Sequence, residues 1–151
     1  MINQLDEKRL GKSKYNIKLR CFPGASINDM YFYLYPLLQK DPEIIILHVG
    51  SNDCTLSTSD VAISNLKRLI QYIEETVPGI KVIISQPILR HDIALARITA
   101  SRLVERINKE NLFILNNSNI VRKHVGRKGL HLNQYGTARL AMNLISLSQR
   151  L

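Results

Sequence analysis

Three separated pieces of the chain carry residue types that can do chemistry together: Pro23-Gly24, Gly50-Ser51-Asn52-Asp53 and Gly129-Leu130-His131-Leu132-Asn133. A backbone N–H and an asparagine amide can hold a developing oxyanion, and a histidine can move the proton. That is the equipment of acyl transfer. Singly, each piece has a plainer reading. Asn and Asp are common turn residues, and a histidine just before a helix is more often a cap or a surface residue.

The elements that would position them alternate. Residues 44–47 are an unbroken apolar run, Ile-Ile-Ile-Leu, followed by His48, Val49 and Gly50. Such a run suits a strand buried on both faces of a parallel sheet, with its polar turn at the carboxyl edge where ligands bind in open α/β folds. Residues 1–16 read as a short polar helix with a Gly11-Lys12-Ser13 linker, and residues 17–22 alternate as a strand near a sheet edge. Ser26 and Asp29 have the spacing of a capping box, opening a helix with Met30, Leu34, Leu37 and Leu38 on one side, to about Lys40. A helix from about 60 to 76 places Ile63, Leu66, Ile70 and Ile73 inward. Residues 81–85 form a short buried strand, and a helix from about 93 to 110 turns Ile98, Leu103 and Ile107 inward. Residues 112–115 are the last strand, a basic loop comes next, and 134–148 are the final helix. Strict alternation argues for α/β architecture, a parallel sheet with helices on both faces. No glycine-rich nucleotide loop follows any strand, and no cofactor is implied.

A chain of 151 residues fits one domain, 1–151, with room for a real core. No apolar stretch reaches bilayer length, so no membrane segment is expected. Cys21 and Cys54 are too few for a disulfide framework and form no zinc-type pair, which makes an intracellular, cytoplasmic setting the default. The net charge is +9, with no Asp or Glu after Glu110. Lys8, Arg9, Lys12, Lys14, Lys18 and Arg20 crowd the first fifth; Arg122, Lys123, Arg127, Lys128, Arg139 and Arg150 lie in the last third. This balance suits RNA or another polyanion as a partner, with a solvated basic surface as the plainer reading. Nothing in the sequence sets an oligomeric state.

Taken together, Phe22-Pro-Gly-Ala-Ser-Ile-Asn-Asp-Met30, Ile45-Ile-Leu-His-Val-Gly-Ser-Asn-Asp53 and Gly129-Leu-His-Leu-Asn-Gln-Tyr-Gly136 resemble the later blocks of the SGNH (GDSL) hydrolases. The likeness is closest to the esterase-like domains of animal retrotransposon-associated proteins. It implies a flavodoxin-like three-layer α/β/α sandwich and an ester substrate. It also implies Gly24 and Asn52 as oxyanion donors, Gly50 as their supporting turn and His131 as general base.

The departures from that family are as informative. Its first block is a Gly-Asp-Ser whose serine is the nucleophile, and these 151 residues contain no such triplet. Met1-Ile2-Asn3 resembles the residues just after that block, so the first, central strand is expected to be absent and the domain amino-terminally truncated. The acid three residues before the histidine is replaced by Lys128. Ser26 is better read as a cap and Ser51 as a turn residue. Cys54 is the substitute nucleophile that chemistry favours, set against a structural cysteine. The reading is an impaired SGNH esterase, with a non-catalytic RNA-binding module as the alternative.

Overall fold

A computed structural model describes residues 5, 10, 16–110 and 112–151. The helix expected over 1–16 therefore lies largely outside the described residues. The ordered elements are α1 (Met30–Leu38), β1 (Ile44–Leu47), α2 (Asp53–Leu56), α3 (Ser59–Thr76), β2 (Lys81–Ser85), α4 (Ala94–Lys109), β3 (Phe113–Leu115) and α5 (Gln134–Ser148). A 3-10 turn at Arg122–His124 interrupts the basic loop, where the sequence carries no helical period.

Among the described residues the sheet has three parallel strands in the order β1-β2-β3. Its apolar sequence explains its centre: β2 is buried from Val82 to Ser85 because helices cover both faces. One face meets α3 and α4, whose Leu66, Leu69, Ile73, Leu103 and Ile107 form the main core with Ile84. On the other, Ile83 and Leu115 pack against Leu147 of α5. Each fully buried Leu or Ile contributes roughly 1.5–3 kcal/mol. The helical periodicity of α3 is legible in the sequence, since Ile63, Leu66, Ile70 and Ile73 are all buried. Thr58 caps it by accepting from the Val61 N–H (3.3 Å). The expected box before α1 also forms: the Ser26 N–H and hydroxyl donate to the Asp29 carboxylate (2.8 and 2.7 Å), and the Asp29 N–H reaches back to Ser26 Oγ (3.4 Å).

Three expectations are corrected. Residues 17–22 form no strand, although their burial still alternates, with Ile17, Leu19 and Cys21 half-buried and Lys18 and Arg20 exposed. Alternation orients side chains, but a strand also needs a neighbouring backbone, and β1 does not supply one. Second, β1 is an edge strand rather than one buried on both faces, and Ile46 is 37% exposed. Third, Ile98 is 50% exposed, because Ala96, Thr99, Ala100, Leu103 and Ile107 make the inward face of α4. Small residues let α4 approach α3, and that registry turns Ile98 outward.

Helix α5 starts where Asn133 accepts from the Gly136 N–H (3.0 Å) and donates through Nδ2 to Lys123 O (2.8 Å). This joins the helix to the 3-10 turn. Gly136 sits so close to that turn that a Cβ there would overlap the backbone oxygen of His124. Alanine is the better helix former by about 1 kcal/mol, so propensity and packing oppose each other at this position. Gly136→Ala is expected to lower stability by about 3 kcal/mol in urea denaturation. A neutral or stabilising result would show that the turn yields freely.

Candidate active site

The first two predicted pieces meet. Asn52 Nδ2 donates to Ala25 O (2.9 Å), and both oxygens of Asp53 accept the Ile27 N–H (3.1 Å each). The Gly24 turn is thereby fastened to the Gly50–Asp53 turn. Gly24 is exposed with φ +81°, at the mouth of this joint. Gly50 is buried with φ +98°, and a Cβ on it would come within 2.9 Å of the Leu103 side chain. A left-handed backbone at the end of an apolar strand is what swings Asn52 back toward residue 25. Asn52 has two amide hydrogens and uses one on Ala25, which leaves one donor for a ligand oxygen.

Asp53 is buried, and burial pushes its carboxyl up from the ordinary value while the Ile27 N–H pulls it down. Its place is structural: it holds residue 27, at the turn leading into α1. Ser26 likewise serves a turn. Ser26 is occupied by Asp29, and Ser51 offers its backbone oxygen to Arg90 Nη1 (3.2 Å).

Cys54 is 2% exposed, and its thiol donates to Gly50 O (3.0 Å). Burial first, then the neighbouring Asp53 charge, push its pKa up to about 11, against a small opposing effect of Arg90. A neutral, enclosed thiol is no nucleophile. The structural reading of Cys54 is the one that fits.

His131 is exposed at the carboxyl end of the basic loop, and its ring makes no hydrogen bond among the described residues. Its backbone oxygen accepts from the Gly126 N–H (2.7 Å), and Val125 and Leu132 form an antiparallel bridge, so the loop itself is braced. Lys128 is exposed in the same loop. No carboxylate is available after Glu110 to orient the imidazole.

What links this loop to the Asn52 turn is not visible in the sequence. Arg90 is buried, grips Asp92 through Nε and Nη2, and reaches Ser51 O with Nη1. Next to it, the His91 N–H donates to Gly129 O (2.7 Å). One short segment thus touches both the Asn52 turn and the His131 loop. Ser51 lies 39 residues from Arg90 in sequence, so no local pattern marks the pair.

His48 and His124 are the other groups that sequence reasoning missed. His124 is buried, and its Nδ1 accepts from the Val121 N–H (3.0 Å) within the 3-10 turn. His48 leaves β1 toward the carboxyl edge, with Nδ1 2.9 Å from Ser85 Oγ. Asn117 Nδ2 also donates to that hydroxyl (2.9 Å), while Asn143 Nδ2 donates to Asn117 Oδ1 (2.9 Å). The other ring nitrogen, Nε2, is shut off from solvent without a partner. Among the described residues no cluster of His, Cys, Asp or Glu is placed to hold a metal, and no helix is long and apolar enough to cross a membrane.

No protein-family profile matches the chain, and no curated protein matches it. Solved structures do. A carbohydrate esterase family 3 protein from Talaromyces cellulolyticus aligns over 85% of this chain and 70% of its own, with TM-score 0.70 and 17% identity. A lipase/acylhydrolase from Enterococcus faecalis aligns over 85% and 73%, with TM-score 0.67 and 18% identity. A lipolytic G-D-S-L protein from Veillonella parvula aligns over 85% and 77%, with TM-score 0.70 and 17% identity. The likeness is one of fold: this chain has the flavodoxin-like α/β/α fold of the SGNH (GDSL) hydrolases.

Burial of His48 lowers its pKa from 6.5 to about 4, with the Ser85 contact opposing. The unfolded chain binds this proton first as pH falls, so stability is full above about pH 6.5 and declines toward pH 4. The decline from this group is on the order of 3 kcal/mol. Urea midpoints of the native chain and His48→Phe, compared from pH 7 to pH 4, are expected to show a steeper fall for the native chain. Parallel slopes would mean that His48 does not titrate this way.

Proposed function

We propose that this chain is an SGNH-type carboxylic-ester hydrolase domain that keeps its oxyanion turn but is disarmed for turnover. The observation that carries the reading is the joint between the Gly24 and Asn52 turns, which leaves one Asn52 N–H beside the Gly24 backbone. That is a cradle for the oxygen of an ester carbonyl. Support for the second half is chemical. Cys54 is held neutral, the Ser26 hydroxyl is bonded to Asp29, and the acid position holds Lys128. Loss of an orienting carboxylate alone costs about four orders of magnitude in rate by the serine-protease precedent. Removing the nucleophile as well leaves only binding and the oxyanion cradle.

With p-nitrophenyl acetate, the native chain and His131→Ala are expected to release nitrophenol at the same rate as buffer. Turnover that disappears in His131→Ala would overturn the disarmed reading and restore an active esterase.

A second reading, nucleic-acid binding, has one specific observation in its favour. Phe22 stacks on Tyr33 of α1 at 4.3 Å between centroids, which carries the Lys18–Arg20 stretch to a helix that exposes Phe32 and Tyr35. Cations beside exposed rings suit single-stranded nucleic acid. Under this reading, fluorescence anisotropy with a short poly(U) oligonucleotide shows binding that falls steeply with salt. It also shows loss of binding in Phe32→Ala with Tyr35→Ala. Salt-insensitive binding, or none at micromolar protein, removes this reading.

A further inference from the structure

Two guanidinium groups gather where the His131 loop meets the start of α4. The contact there is backbone to backbone. His91 N–H donates to Gly129 O (2.7 Å), and a Cβ on Gly129 would fall 2.5 Å from the carbonyl carbon of His91. Arg122 belongs to the loop side. Its Nη1 donates to Val125 O and Gly126 O (3.3 Å each), and Gly126 N–H donates in turn to His131 O (2.7 Å). The guanidinium is anchored at one nitrogen, and the N–H groups of Nε and Nη2 are unspent among the described residues.

Arg97 belongs to the helix side. Arg106, nine residues on, bonds Asp60 of α3 (3.0 Å), and nine residues are about two and a half helical turns. Arg97 therefore leaves α4 on the flank opposite α3. Both arginines act on the His91 ring: after burial itself, their charges hold its pKa below the ordinary value. The two cations thus converge on one place, around His91.

No carboxylate among the described residues neutralises them. Asp92 is engaged by Arg90 through Nε and Nη2, and neither Arg97 nor Arg122 has a carboxylate partner. Both residues are exposed, and Lys128 adds a further cation one residue before Gly129. Like charges held together destabilise a fold, and an anion received between them offsets that cost. The place is also next to the candidate site, since Arg90 Nη1 carries the same short segment to Ser51 O (3.2 Å).

We propose that Arg97 and Arg122 form an anion subsite beside the Asn52 turn, and that the ester this domain takes carries an anionic oxygen group, a carboxylate or a phosphate, beyond its carbonyl. The inference rests on the ester reading above and names the class of ester. A guanidinium suits this work because its N–H groups meet two oxygens of one anion in a fixed plane.

The probes are monoethyl succinate, both ester and anion, diethyl succinate, an ester alone, and succinate, an anion alone. Each is added at neutral pH and fixed low salt to the 15N-labelled full chain. NMR follows the Asn52 side-chain amide and the Nε–H of Arg97 and Arg122. Monoethyl succinate is expected to move all three and to bind about tenfold tighter than diethyl succinate, which moves Asn52 alone. Arg97→Gln with Arg122→Gln should abolish that preference while diethyl succinate still moves Asn52. Lys40→Gln with Lys109→Gln removes the same charge at the opposite edge of the sheet, ahead of β1 and β3, and should preserve it. Competition by acetate and by inorganic phosphate then tells a carboxylate from a phosphate, and displacement by neither would count against the subsite. Equal binding of the two esters, or loss of the preference in the lysine pair, would overturn the subsite and leave the ester reading standing. Shifts at the arginines with none at Asn52 would overturn the inference through the ester reading instead. Movement of the arginines by poly(U) but by none of the small anions would overturn it in favour of nucleic-acid binding.

Discussion

Both oxygens of the Asp53 carboxylate take the same backbone N–H, that of Ile27, while Asn52 beside it takes the carbonyl of Ala25. These contacts tie the segment ahead of α1 to the end of β1, across 26 and 27 residues of sequence. The Ile27 N–H shared by the two carboxylate oxygens is one charge-assisted hydrogen bond, of a kind that contributes about 1.5–3 kcal/mol, and Asp53 is held despite a burial that works against its ionised form. Without this joint, Gly24 and Asn52 would belong to two independent turns. With it they form a single hydrogen-bonded unit.

A second tie depends on the first. Arg90 reaches the carbonyl of Ser51, within the turn that Asn52 and Asp53 hold, and its neighbour His91 holds Gly129. The basic loop with His131 is thus located relative to the Asn52 turn, while the His131 ring makes no hydrogen bond among the described residues. A general base needs the reverse, a fixed imidazole in one tautomer.

Much of this fold is legible in the sequence because hydrophobic periodicity is local. The inward residues of α3, the limits of β2 and the start of α5 all follow from runs and caps within one element. The failures are non-local. Residues 17–22 have the alternation of a strand, but a ladder requires an adjacent backbone, and sequence spacing says nothing about that. Ile98 faces out because it lies five residues before Leu103 and nine before Ile107, off the stripe that Ala96, Ala100, Leu103 and Ile107 form at spacings of three and four. In the site, Gly24, Gly50 and Asn52 are recognisable as a motif, whereas Arg90 and the orphaned ring nitrogen of His48 depend on partners from other strands and loops. The low reactivity of Cys54 is a matter of depth, which no spacing encodes.

The Gly50–Asn52 turn does not require catalysis to explain it. Asn52 spends one amide hydrogen on Ala25, and Gly50 holds a conformation that a side chain resists while Leu103 fills the space beside it. Either substitution would loosen the packing of the strand end as surely as it would alter a ligand site. His131 has no such second duty, since its ring touches no described polar group. Of the residues that resemble catalytic ones, it is therefore the one whose side chain the fold does not need. Asn52 and Gly50 report on architecture, whereas substitution of His131 would report on chemistry alone.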